Sequence, residues 1–160
     1  MRNREQFMTE YAKSHVNPLN KIIHVICVPA IFFASGGLMW CVALGSYIPG
    51  LAPEIARWIN LATVVAIPIL IFYARLGTPT LITGLAWMTI TMLGCFLIET
   101  AGLRLLWISL GIWITAWAGQ FYGHYVEGAK PSFGDDLIFL LIGPLFVQEK
   151  LGRLVRTGSL

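Results

Sequence analysis

Four stretches of this chain stay apolar over about the length needed to cross a bilayer, and that limits the fold before any motif is read. The first runs from near Ile22 to Leu44 or Tyr47, the second from about Trp58 to Tyr73. The third runs from about Thr80 to Ile98 and the fourth from about Leu103 to His124. A backbone inside lipid must satisfy its own N–H and C=O groups, so each stretch reads as a helix. Gly45, Pro49, Gly50 and Pro53 separate the first two. Arg75-Leu76-Gly77-Thr78-Pro79 and Glu99-Thr100-Ala101-Gly102 turn the chain twice more, and Pro68 predicts a kink in the second. Only 12% of residues are charged, against roughly 25% in soluble domains. The expected fold is therefore an all-α polytopic membrane bundle, with residues 1–160 forming one integral membrane domain.

Two further segments flank the four spans. Phe7, Met8 and Tyr11 recur at helical spacing within Glu5 to Ser14, which predicts an N-terminal helix at the interface. Leu137 to Val147 is a fifth apolar run, too short to span and interrupted by Gly143-Pro144, so a re-entrant or interfacial helix pair is expected. Asp135-Asp136 ahead of it read as N-terminal capping residues. Four spans return both termini to one side, and nine of the eleven basic residues then share that side, leaving out only Arg57 and Arg104. By the positive-inside rule that side is cytoplasmic. The first apolar run is too long for the core of a cleaved leader, so no signal peptide is expected. The expected location is a bacterial inner membrane, or the endoplasmic reticulum in a eukaryote. A net charge of +3 gives no reason to expect a nucleic-acid partner. Cys27, Cys41 and Cys95 lack metal-type spacing and read as free thiols.

The chain has three histidines, His15, His24 and His124. The topology puts all three at one membrane face, two at the entrance to the first span and one at the exit of the fourth. Ligand-type residues at membrane depth are costly and are functional candidates by default. On one unbroken helix, His15 and His24 would lie two and a half turns apart and face opposite ways. Asn17-Pro18 predicts a break between them, with Asn17 as the N-cap of a new helix, so both rings can meet at one point. Gln120, His124 and Glu127 fall at i, i+4 and i+7, on one helical face. His15, His24, His124 and Glu127 are thus candidate ligands of one catalytic metal, with zinc, iron and manganese all open on residues alone. Asn17, Asn20 and Gln120 are candidates for holding the imidazoles in place. Tyr11, Tyr122 and Tyr125 read as interface aromatics, and Glu99 and Arg104 as a turn.

At these residues the chain resembles the yeast-type 2-hydroxy fatty acid dioxygenases. The match lies in Tyr11…His15-x-Asn17-Pro18-x-Asn20-x-x-x-His24…Pro29, and in Gln120-Phe121-x-Gly123-His124, Glu127 and Lys130-Pro131. Asp136-Leu137…Gly143-Pro144 is similar to the bacterial branch. The interval from His124 to Glu127 holds two residues where the family pattern has three, which sets Glu127 apart from the histidines. The resemblance implies an Fe(II)-dependent enzyme that uses O₂ to convert a 2-hydroxy fatty acid to a fatty acid one carbon shorter, with loss of CO₂. The implied partners are that substrate, O₂ and the bilayer. The implied catalytic residues are the four candidate ligands, and Lys13, Lys21 and Lys130 are available to steer a carboxylate.

Two rival readings use the same residues. Two histidines at the ends of the first and fourth spans can be axial ligands of a haem. A non-enzymatic membrane protein, with a lipid-binding, assembly or transport role, is the other. Transport predicts polar groups near the midplane, where this chain offers mainly Thr63, Thr83, Thr89 and Thr91. Those read as helix-packing hydroxyls.

Overall fold

Asn17 and Pro18 start a 23-residue helix as their residue types demand. Pro18 is its first residue, where a missing N–H costs nothing, and the Asn17 side chain accepts from the Leu19 N–H at 2.9 Å. The structure is a computed structural model that describes residues 2–130 and 138–157. Among these, the helices are α1 (Arg4–Lys13), α2 (Pro18–Trp40), α3 (Pro53–Ala56), α4 (Leu61–Arg75), α5 (Thr78–Thr100), α6 (Leu105–Glu127) and α7 (Phe139–Thr157). A 3₁₀ turn, Leu44–Tyr47, follows α2, and no strand occurs among the described residues. The expected all-α class is what the chain adopts. Asp135, Asp136 and Leu137 lie outside the described residues, as does Pro131.

The backbone forms two compact units. One comprises Met1–Ile31 with Ile114–Leu160, the other Phe32–Trp113.

In the second unit α4 and α5 pack as a hairpin. Gly84 makes the approach possible, because a Cβ there would overlap the buried Tyr73 ring. Trp40, Ala62, Cys95 and Leu105 form the buried cluster, with Phe33, Met39, Met92, Phe96 and Ile98 packed around it. Asn60 caps α4 through the Thr63 N–H at 3.1 Å. Glu99 pairs with Arg57 at 3.6 Å and accepts from the Trp40 indole at 3.4 Å. The cysteines are free, as expected.

Two segments are long and apolar enough to cross a membrane by length and composition, Pro18–Tyr47 and Thr78–Thr100. Their outward side chains are large and apolar: Ile26 is 66% exposed, Ile90 65% and Leu97 62%. Exposed apolar surface of that extent on a helix suits lipid rather than water. Helix α4 is apolar but has 15 residues, fewer than the roughly 20 a perpendicular span needs. Helix α6 has 23 residues, with Gln120, His124 and Glu127 in its last two turns.

In the first unit, two expectations change. The apolar face of α1 is covered by protein: Phe7 and Tyr11 are buried, and Phe7 meets Phe139 of α7 edge-on at 5.8 Å. Helix α7 is one continuous helix through Gly143-Pro144, not a pair. Gly143 permits close packing there, since an added Cβ would stand 3.1 Å from Val28 and 3.4 Å from the Tyr11 hydroxyl. The dipeptide marks a close approach between helices, and the buried run Ile142, Leu145, Phe146 and Val147 holds α7 in place.

Candidate metal centre

The break at Asn17-Pro18 lets the chain double back between α1 and α2. His15 lies in that linker, His24 in the second turn of α2 and His124 in the last turn of α6. All three belong to the first unit. Their rings form an edge-to-face cluster. Centroids lie 4.2 Å apart for His15 and His24, 4.9 Å for His24 and His124, and 5.1 Å for His15 and His124. One ring nitrogen from each lies within 4.8 Å of the other two. All three are buried, at 2%, 0% and 5% exposure.

Carbonyl partners fix which nitrogens are available. A carbonyl only accepts, so His15 Nδ1 carries a hydrogen and donates to the Tyr11 carbonyl at 2.5 Å. His24 Nδ1 likewise donates to the Asn20 carbonyl at 3.0 Å. Each ring is left with a lone pair on Nε2. His15 Nε2 and His124 Nδ1 are buried without a hydrogen-bond partner among the described residues. Buried polar atoms are seldom left so, and an orphaned imidazole lone pair is what a cation takes up. Burial away from water penalises the imidazolium and pushes His15 down to about 4, so its ring is neutral and able to coordinate at pH 7. The donor set and its orphaned atoms fit a divalent transition metal.

Surrounding side chains shape the cluster. Tyr11 stacks on His15 with centroids 4.1 Å apart and planes 8° from parallel. Phe146 lies 5.5 Å from the His15 ring and 4.9 Å from Tyr11. By sequence Tyr11 reads as an interface aromatic, yet its place four residues before His15 puts it one helical turn from that ring. Tyr122 and Tyr125 are exposed, at 56% and 83%. The Gln120 amide is buried, with Nε2 2.6 Å from His24 Nε2.

Glu127 stands apart from the imidazoles. Its carboxylate accepts from the Val16 N–H at 2.8 Å, from the Asn17 N–H at 3.0 and 3.1 Å, and from Asn20 Nδ2 at 2.9 Å. These N–H groups stand just ahead of α2, whose positive dipole end also attracts the anion. Glu127 therefore ties the end of α6 to the start of α2, and it is not among the grouped donors. Asn20 joins both sides: its backbone holds His24 and its side chain holds Glu127. Gly123 is needed beside it, because a Cβ there would collide with Asn20 Oδ1. Gly123→Ala is expected to push α6 from α2 and lower metal affinity at least about tenfold, as loss of a supporting contact does. Titration of the purified variant with Fe(II) checks this, and wild-type affinity would show the approach is not needed.

The haem reading meets a steric objection here. Rings in edge-to-face contact at 4.9 Å leave no slot between His24 and His124 for a macrocycle.

The family model of the 2-hydroxy-palmitic acid dioxygenase Mpo1-like proteins matches residues 1–154. The chain belongs to this family. A relative in Saccharomyces cerevisiae, the 2-hydroxy-palmitic acid dioxygenase MPO1, is 31% identical over 140 residues, which are 86% of this chain and 73% of the relative. No solved structure matches the chain. Membership in a dioxygenase family bears out the resemblance carried by the two histidine motifs, and at the level of the family this chain is an enzyme.

Proposed function

We propose that the protein is an Fe(II)-dependent dioxygenase that shortens 2-hydroxy fatty acids by one carbon. The observation that carries this reading is the buried cluster of three imidazoles, two of them with an unpartnered ring nitrogen, in a chain of this family. The overall reaction balances without a further reductant: R-CH(OH)-COOH and O₂ give R-COOH, CO₂ and H₂O. His15 and His24 through Nε2, and His124 through Nδ1, are the residues that would hold the metal. When bound, iron supplies Lewis acidity toward the 2-hydroxy acid and the redox step with O₂.

The chain's own groups set the conditions. The Tyr11 and Asn20 carbonyls keep two imidazoles in the tautomers that present lone pairs inward. Tyr11 and Phe146 wall the cluster with aromatic carbon and keep water off it. Glu127 holds the two helix ends that carry the histidines. Beyond the cluster α2 and α6 are apolar, which suits a substrate whose carboxylate end meets the imidazoles and whose remainder is hydrocarbon. In this reading four helices cross a membrane, α4 packed against α5 with flanking residues completing its span, and the site lies on the side of both termini. The excess of basic residues there supports a cytoplasmic site.

Purified protein given Fe(II), O₂ and 2-hydroxypalmitate labelled at the carboxyl carbon is expected to release labelled CO₂ and pentadecanoic acid, one of each per O₂ consumed. Product that retains the label would contradict the reading.

A further inference from the structure

Three imidazoles leave the centre one protein donor short of the four-donor set expected at first, and Glu127 is engaged at the start of α2. A different side chain stands at the cluster. Gln120 lies one helical turn before His124, on the same face of α6, and is 5% exposed. Its amide nitrogen is 2.6 Å from His24 Nε2, the atom whose lone pair faces the cluster. Its amide oxygen is buried and has no hydrogen-bond partner among the described residues.

We propose that Gln120 Oε1 is the fourth protein ligand of the metal centre. This rests on the metal-centre reading above. In the arrangement seen, the amide N–H caps the His24 lone pair. A cation at that lone pair removes the acceptor and repels the N–H. The carboxamide is planar, so half a turn about its last torsion exchanges nitrogen for oxygen. That turn relieves the repulsion and gives the orphaned Oε1 a partner. Donors that share one ion by bonds of roughly 2.1 Å lie about 3 Å apart, so the amide head already stands at ligand distance from His24 Nε2. Imidazole nitrogen and amide oxygen together suit first-row divalent metals such as iron and manganese. The choice has a consequence for substrate. Four neutral donors leave both positive charges of the ion uncompensated, which favours an anionic carboxylate over a neutral lipid. A glutamate ligand would cancel part of that charge.

Cobalt(II) titration of detergent-purified protein tests the assignment, because its visible ligand-field bands report the donor set without turnover. Wild type is expected to bind about one Co(II) per chain. Gln120→Leu is expected to shift the bands and to weaken binding by more than about 100-fold, beyond the cost of losing an outer partner. Gln120→Glu, which keeps an oxygen donor, is expected to bind at least as tightly as wild type with bands of its own. If Gln120→Leu does not fold, Gln120→Glu decides alone. Wild-type bands in either variant would remove Gln120 from the ligand set while leaving the three-histidine centre intact. Absence of Co(II) binding by the wild type would overturn the ligand assignment together with the metal centre.

Discussion

His24→Ala is expected to leave a folded, membrane-inserted protein with turnover of 2-hydroxypalmitate lowered by more than about 100-fold and no tightly held metal. The bound is set by outer partners of a metal site, whose loss alone costs roughly 10–100-fold. His24 is fully buried and meets both neighbours, with ring centroids 4.2 Å from His15 and 4.9 Å from His124. Its removal takes away a donor and the anchor for the Gln120 amide at once. The fold has less at stake, since the ring makes one backbone bond within its own helix. Activity and helical content measured together separate the two effects. Turnover within threefold of wild type would remove His24 from the site.

Glu127→Ala is expected to act differently, through position rather than ligation. The carboxylate receives the Val16 and Asn17 N–H groups and the Asn20 amide. Alanine leaves those donors to water, at a cost of about 2 kcal/mol, between that of a lost helix cap and that of charged hydrogen bonds. The linker that carries His15 then loses its tie to the helix that carries His124. Metal affinity should fall at least about tenfold, with thermal stability falling in parallel. Glu127→Gln keeps one acceptor oxygen and should recover part of both losses. A metal ligand would give another result: affinity would collapse while stability held. Equal loss of affinity in both variants at unchanged stability would favour the ligand role first expected for Glu127.

That contrast marks where the sequence is legible. Helices α2, α5 and α6 follow from apolar runs bounded by glycine, proline and polar residues; α5 and α6 end within three residues of the expected bounds, while α2 ends at Trp40, four to seven residues early. The Asn17-Pro18 break follows from local stereochemistry, and with it the return of His15 toward His24. For Glu127, spacing along α6 shows only its own helix; the N–H groups its carboxylate receives, those of Val16 and Asn17, are over a hundred residues earlier in sequence. Tyr11 reads as an interface aromatic because an amphipathic helix looks the same whether protein or lipid covers it. Phe139 and Phe146 of α7 supply that cover. Gly143-Pro144 reads as a helix break, yet the glycine admits Val28 and Tyr11 and the helix runs on.

Elemental analysis of detergent-purified protein, wild type beside His124→Ala, decides whether the three histidines hold a metal. About one iron per wild-type chain is expected after anaerobic reconstitution with Fe(II), with loss of that iron in His124→Ala. No stoichiometric metal in the reconstituted wild type, or equal metal in the variant, would contradict a three-histidine centre.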